Sequence, residues 1–165
     1  MVIVHGTRKF LDRVGRPTAA PDDASTTSLG SWYATVLFWR PQVALFVNET
    51  TLLPVLVPFA PASSLLARFP AAVQAAFGRH ELIQSFIEAE IAQMAERRLA
   101  TPKNRSVAAI MNEFTHLGEV FREKSAPLDL EALSIRLAQV PCGPLYSRQI
   151  SPDRELTALA AQHAR

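Results

Sequence analysis

Residues 32–59 read WYATVLFWRPQVALFVNETTLLPVLVPF. Three runs of aromatic, β-branched and aliphatic residues stand here, at 32–39, 43–47 and 52–59, separated by Arg40-Pro41-Gln42 and by Asn48-Glu49-Thr50-Thr51. Runs this short, joined by turn-forming residues, predict three strands in an antiparallel meander. Pro54 has no backbone N–H to give to a ladder, so the third strand is expected at a sheet edge or at a bulge.

Upstream, residues 1–4 predict a short strand, and residues 7–16 an amphipathic helix in which Phe10, Leu11 and Val14 alternate with Arg8, Lys9, Arg13 and Arg16. Residues 17–28 are rich in Pro, Asp, Ser and Thr without periodicity, a loop whose length marks it as functional or disordered. Downstream the period becomes helical. Leu66, Phe69, Val73 and Phe77 share a face, and Pro70 is expected to divide this segment into two short helices, opening the second. Residues 81–99 give the clearest helix, with Ile83, Phe86, Ile87, Ile91 and Met94 as its stripe and Arg97 and Arg98 closing its last turn. Further helices are expected at 106–122, at 130–140 behind an Asp129 cap, and from Ser151-Pro152 onward. The fold class is α+β: an N-terminal antiparallel β-meander packed against a mostly helical C-terminal half. One domain of residues 1–165 is expected, with 1–60 mainly strands around the loop at 17–28, and 61–165 mainly helices.

Composition narrows the function classes. Apolar residues make up 48% of the chain and charged residues 19%, which argues against disorder and leaves room for apolar surface covered by a protein partner or a second copy. The single cysteine, Cys142, can form no internal disulfide and fits a reducing, cytoplasmic compartment. The longest apolar stretch, residues 43–60, is broken by polar residues and prolines, so no membrane span is expected. A net charge of +2 permits an acidic partner without demanding one.

The most informative polar segment is TPKNRSVAAIMNEF, residues 101–114. Helical spacing puts Arg105, Asn112, His116 and Glu119 on one stripe opposite Val107, Ile110 and Phe114. A cation, an amide, an imidazole and a carboxylate on one stripe have the chemistry of a polar-ligand site, and Lys103 and Arg105 beside a helix start have that of a phosphate site. The competing reading is structural: Asn104 or Ser106 caps the helix and the stripe, with Glu113, is a solvated face. No metal site is expected, because His116 and Glu119 have no second ligand pair and the His-Glu-x-x-His pattern is absent. Cys142, between Pro141 and Gly143, reads as a packed cysteine rather than a nucleophile. No cofactor is expected, since neither a phosphate-cradling glycine loop nor a Gly-x-Ser-x-Gly elbow is present. Arg8, Lys9, Arg13 and Arg16 form one basic cluster, and Arg97, Arg98, Lys103 and Arg105 a second. Brought together, they would contact nucleic-acid phosphates.

The runs LGSWYATVLFWRPQVALFVNETTLLPVLVP (29–58), KNRSVAAIMNEF (103–114) and LSIRLAQVPCGPLY (133–146) resemble a widespread bacterial family of small proteins known as a domain of unknown function. Ser31 stands where that family usually has Asp, and Ala109 where it has Gly. The resemblance implies a cytoplasmic bacterial protein and supplies no substrate, cofactor or mechanism. The functional expectation is a non-enzymatic protein-binding module, in a mobile-element, defence or toxin–antitoxin setting. Two alternatives stand beside it: a nucleic-acid-binding protein using the basic clusters, and an enzyme acting on a phosphorylated or nucleotide ligand through the polar stripe between Lys103 and Glu119.

Overall fold

The three apolar runs pair as neighbouring antiparallel strands in a computed structural model that describes residues 1–122 and 127–165. They are β2 (Trp32–Leu37), β3 (Val43–Asn48) and β4 (Pro54–Pro58), with Trp32 opposite Asn48 and Val43 opposite Pro58. β4 lies at the sheet edge, as Pro54 predicts. The sheet is larger than the meander. β1 (Val2–Gly6) runs parallel to β2 and also parallel to β5 (Arg97–Ala100), giving a five-stranded mixed sheet in the order β4-β3-β2-β1-β5.

The helices are α1 (Arg8–Val14), α2 (Leu65–Arg79), α3 (Gln84–Gln93), α4 (Arg105–Arg122), α5 (Leu130–Ala138) and α6 (Pro152–His163). They cover both faces of the sheet, which explains why its central strands are buried at every position and apolar at nearly all of them rather than alternately. On one face Trp32, Ala34, Val36 and Phe46 pack with Phe10, Phe69, Phe77, Phe86 and Leu156. The Phe46 and Phe69 rings stack at 4.1 Å, and Trp32 meets Phe69 edge-on at 5.3 Å. On the other face Tyr33, Leu37, Leu45 and Val47 pack with Val107, Ile110, Met111 and Phe114 of α4 and with Leu133 and Leu137 of α5.

Two expected helices are redrawn. Residues 65–79 form one helix with Pro70 inside it, not two. An interior proline costs about 3 kcal/mol, but an unbroken helix buries Leu65, Phe69, Val73 and Phe77 completely. At about 2 kcal/mol for each such side chain, burial outweighs the lost backbone bond. The helix expected at 81–99 is α3 alone. Ile83 precedes it and is 52% exposed, while Arg97 and Arg98 lie on β5 rather than in a closing helical turn. Their backbone is needed as a strand because the free side of β1 requires a partner, and Val2, Ile3, Val4 and His5 register with Arg97, Arg98, Leu99 and Ala100.

The loop at 17–28 is an ordered strap. Thr18 and Ala19 N–H donate to Leu99 O at 2.9 and 3.0 Å, closing the outer edge of β5. Asp23 pairs with Arg98 at 2.7 Å. Where β2 stops short of the start of β1, Ile3 N–H donates to Ser25 Oγ and Thr26 N–H to Met1 O. The strap ends on the buried Glu90 of α3, whose carboxylate accepts the N–H groups of Ser28 and Leu29 at 2.8 and 3.0 Å.

Candidate functional site

The polar motifs of the meander hold the fold together. Asn48 is fully buried. Its Nδ2 donates to Leu29 O and Ser31 O, and its Oδ1 accepts from Thr50 N–H, Thr51 N–H and the Thr51 hydroxyl. The Glu49 carboxylate accepts Ser31 N–H at 2.7 Å. Between them Gly30 has φ +74°, and a Cβ there would lie 2.7 Å from Glu49 Oε1, so a side chain is excluded by backbone conformation and by space. Residues 29–33 and 48–51 are thus one hydrogen-bonded knot with little polar capacity left for a ligand.

The polar segment before α4 divides in two. Asn104 is its cap: Oδ1 accepts from Ser106 N–H at 2.9 Å and Val107 N–H at 3.4 Å. Those helix-start donors are therefore occupied within the chain. Arg105, Ser106, Asn112, Glu113, His116 and Glu119 are all exposed on α4, whose opposite side buries Val107, Ile110, Met111 and Phe114. The stripe exists, on an open helix face rather than in a cleft. Cys142 is 2% exposed, and burial, with the Glu113 carboxylate adding to it, pushes its thiol up to about 11. The thiol stays protonated at neutral pH, as a packed cysteine does.

The basic residues are also sorted by the fold. Arg97 donates to Met94 O and Ala95 O, and Arg98 binds Glu96 and Asp23, so both are engaged internally at the start of β5. On α1, Lys9 lies over the Phe38 ring at 5.3 Å, and Arg13 lies over Phe59 at 4.6 Å while donating to Gln42. Arg8 and Arg16 are exposed and make no hydrogen bond or ion pair with a described residue.

Those two arginines line a cleft that arises from the topology. β1 sits between two parallel neighbours. The chain leaves β1 through α1, toward the face that holds Phe10, and leaves β5 through α4, toward the opposite face. Connections that part to opposite faces open a crevice at the carboxyl ends of adjacent parallel strands. Here it measures about 610 Å³ and is lined by Gly6, Arg8, Leu11, Asp12, Arg16, Pro17, Thr101 and Pro102, among others. A Cβ on Gly6 would come within 2.7 Å of Phe10, so glycine lets β1 turn directly into α1. A smaller recess of about 200 Å³ adjoins it, sharing Pro17 and Thr101 and adding His5, Pro21, Asp23 and Lys103.

His5 and Tyr33 brace the wall of this recess. Their rings stack at 4.7 Å. His5 Nδ1 lies 2.7 Å from Thr101 O. A carbonyl only accepts, so it is Nδ1–H that donates here. The Tyr33 hydroxyl accepts Asn104 N–H at 2.9 Å, and burial raises its pKa. Of the residues singled out from sequence, Arg8 and Arg16 line the crevice and Lys103 the adjoining recess, where its Nζ also donates to Pro21 O at 3.4 Å, while Asn104, Arg105 and Ser106 line neither. Asn112, Glu113, His116 and Glu119 also lie outside. Gly6, His5, Tyr33 and Thr101 were missed as site residues. The one local signal was a strand running through His5-Gly6 into a helix.

Among the described residues no group of three or more His, Cys, Asp or Glu side chains could hold a metal, and no helix is long and apolar enough to cross a membrane. The fold defines an α+β protein with a mixed sheet and a cleft at the ends of its parallel strands. The chain belongs to the family described as Domain of unknown function (DUF6933), whose model matches residues 3–155. No curated protein and no solved structure matches it.

Proposed function

We propose that the protein is a binding module for a small, phosphate-bearing molecule held in the crevice at the carboxyl ends of β1 and β5. The observation that carries this reading is that Arg8 and Arg16 line a crevice at a topological switch point, while Lys103, from a segment some ninety residues away, lines the recess adjoining it. Across the two recesses these cations face Asp12 and Asp23, and Asp23 is already paired with Arg98. The local balance therefore favours an anion. A volume of about 610 Å³ suits a ligand of nucleotide size. The test is thermal unfolding at low ionic strength with increasing pyrophosphate. The reading expects Tm to rise for the native protein and not for Arg16→Ala or Lys103→Ala. An unchanged Tm at millimolar pyrophosphate would overturn it.

A second reading, a protein partner, draws on Phe38. This ring is 60% exposed just past the end of β2, on the same side of the sheet as the crevice, with Lys9 over it. An acidic segment carrying an apolar side chain would match that surface. Crosslinking that depends on Phe38 and survives excess pyrophosphate would favour it. A nucleic-acid strand loses two of its expected contacts, because Arg97 and Arg98 are bonded internally.

A further inference from the structure

The open edge of β4 is built in an uneven way. Asn48 N–H donates to Leu53 O and Phe59 N–H to Gln42 O, so the odd-numbered residues of this strand face β3 and Pro54, Leu56 and Pro58 turn their backbone outward. An exposed edge ordinarily offers both donors and acceptors, and with them a template for another strand. Here Pro54 and Pro58 have no N–H, and Leu56 N–H is taken by Ser134 Oγ of α5 at 3.0 Å. Arg68 of α2 takes Pro58 O at 2.8 Å. The carbonyls of Pro54 and Leu56 remain, with no hydrogen bond to a described residue.

The strand bearing these two acceptors lines a groove of about 490 Å³ between α2 and α5. One wall is small and apolar, with Ala72, Ala75 and Ala76, and the other carries Leu130 and Ile135. The Arg79–Glu131 ion pair, at 2.8 Å, joins the two helices. An added β-strand needs donors from the edge, and the edge has none free. A wholly apolar occupant would cover two carbonyls without pairing them, which is costly.

We infer that this groove is a binding site for a small, largely apolar molecule that donates a hydrogen bond to the carbonyl of Leu56 or Pro54. The site is separate from the crevice and does not depend on the reading given to it.

Indole, a flat apolar molecule with one N–H, is the probe, and 1-methylindole is the same shape without the donor. Chemical shifts of the alanine, leucine and isoleucine methyls report binding to the full chain. Saturable indole shifts at Ala72, Ala75, Ala76, Leu130 and Ile135 are expected, with 1-methylindole about tenfold weaker. Ala75→Leu, at an exposed position, narrows the groove and is expected to weaken indole at least about fivefold at unchanged Tm. Ala76→Leu serves as the second variant. Absent groove shifts, equal affinity for the two probes, or indole binding unaffected by both variants would each overturn the inference.

Discussion

The Tyr33 hydroxyl accepts the backbone N–H of Asn104 at 2.9 Å, joining residues 71 positions apart. Through this bond a central strand fixes the start of α4 and with it one wall of the crevice. Tyr33→Phe keeps the ring and its stack on His5 but leaves that N–H without its protein partner. A loss of about 1–3 kcal/mol is expected, read as a Tm lower by several degrees. Hydrogen exchange at Asn104 should accelerate while exchange in β3 stays slow.

Asn48 and Asn112 offer a contrast between fold and surface. Asn48→Ala strips partners from Leu29 O, Ser31 O, Thr50 N–H and Thr51 N–H in a fully buried site, and should cost at least about 3 kcal/mol. Asn112→Ala removes an exposed side chain and should change stability by no more than about 0.5 kcal/mol. Denaturant unfolding of the two variants checks both.

Much of the fold was legible in residues 32–59. Runs almost wholly apolar and bounded by turn residues mean strands buried on both faces, and the later helical periods supply the covering layers. β5 was not legible. Its four residues, Arg97–Ala100, carry two arginines and no alternation, and what makes them a strand is the free side of β1 some ninety residues earlier. Pro70 misled for a related reason: its local cost is plain, while the burial that offsets it depends on packing against the sheet. At the site, Lys103, Arg8 and Arg16 stood out as charges, but only parallel pairing of β1 with β5 places them on adjoining recesses. The stripe from Arg105 to Glu119 illustrates the opposite case. The period that turns Val107, Ile110 and Phe114 inward places polar side chains on the outer face whether or not they bind anything.

Acid should weaken the strap. The Ala20 N–H, and then the Arg98 guanidinium, hold the Asp23 carboxyl below its ordinary value of 3.8. A depressed folded-state value means that the contribution to stability is present above the unfolded value and is lost as pH falls through the folded one. Asp23→Asn should therefore reduce Tm near neutral pH and narrow its gap to the native protein below about pH 4. A Tm difference that stays constant across this range would contradict the assignment.

Cys142 should behave as a core residue. With its thiol raised to about 11 and its side chain buried, it should react with a disulfide reagent at pH 8 only after denaturation. The raised value also has a sign: the stabilisation is present below the ordinary thiol value of 9.0 and is lost as pH rises toward the folded one. Fast labelling of the native protein at pH 8 would show the thiol to be accessible.

The most direct test of the crevice as an anion site is a titration of the labelled protein with pyrophosphate, followed by backbone amide chemical shifts. The account predicts saturable shifts centred on Gly6, Thr7, Arg8, Arg16, Thr101 and Lys103, abolished in the Arg16→Ala, Lys103→Ala double variant. Shifts that fail to saturate, or that centre on the outer face of α4 around Asn112 and His116, would contradict it.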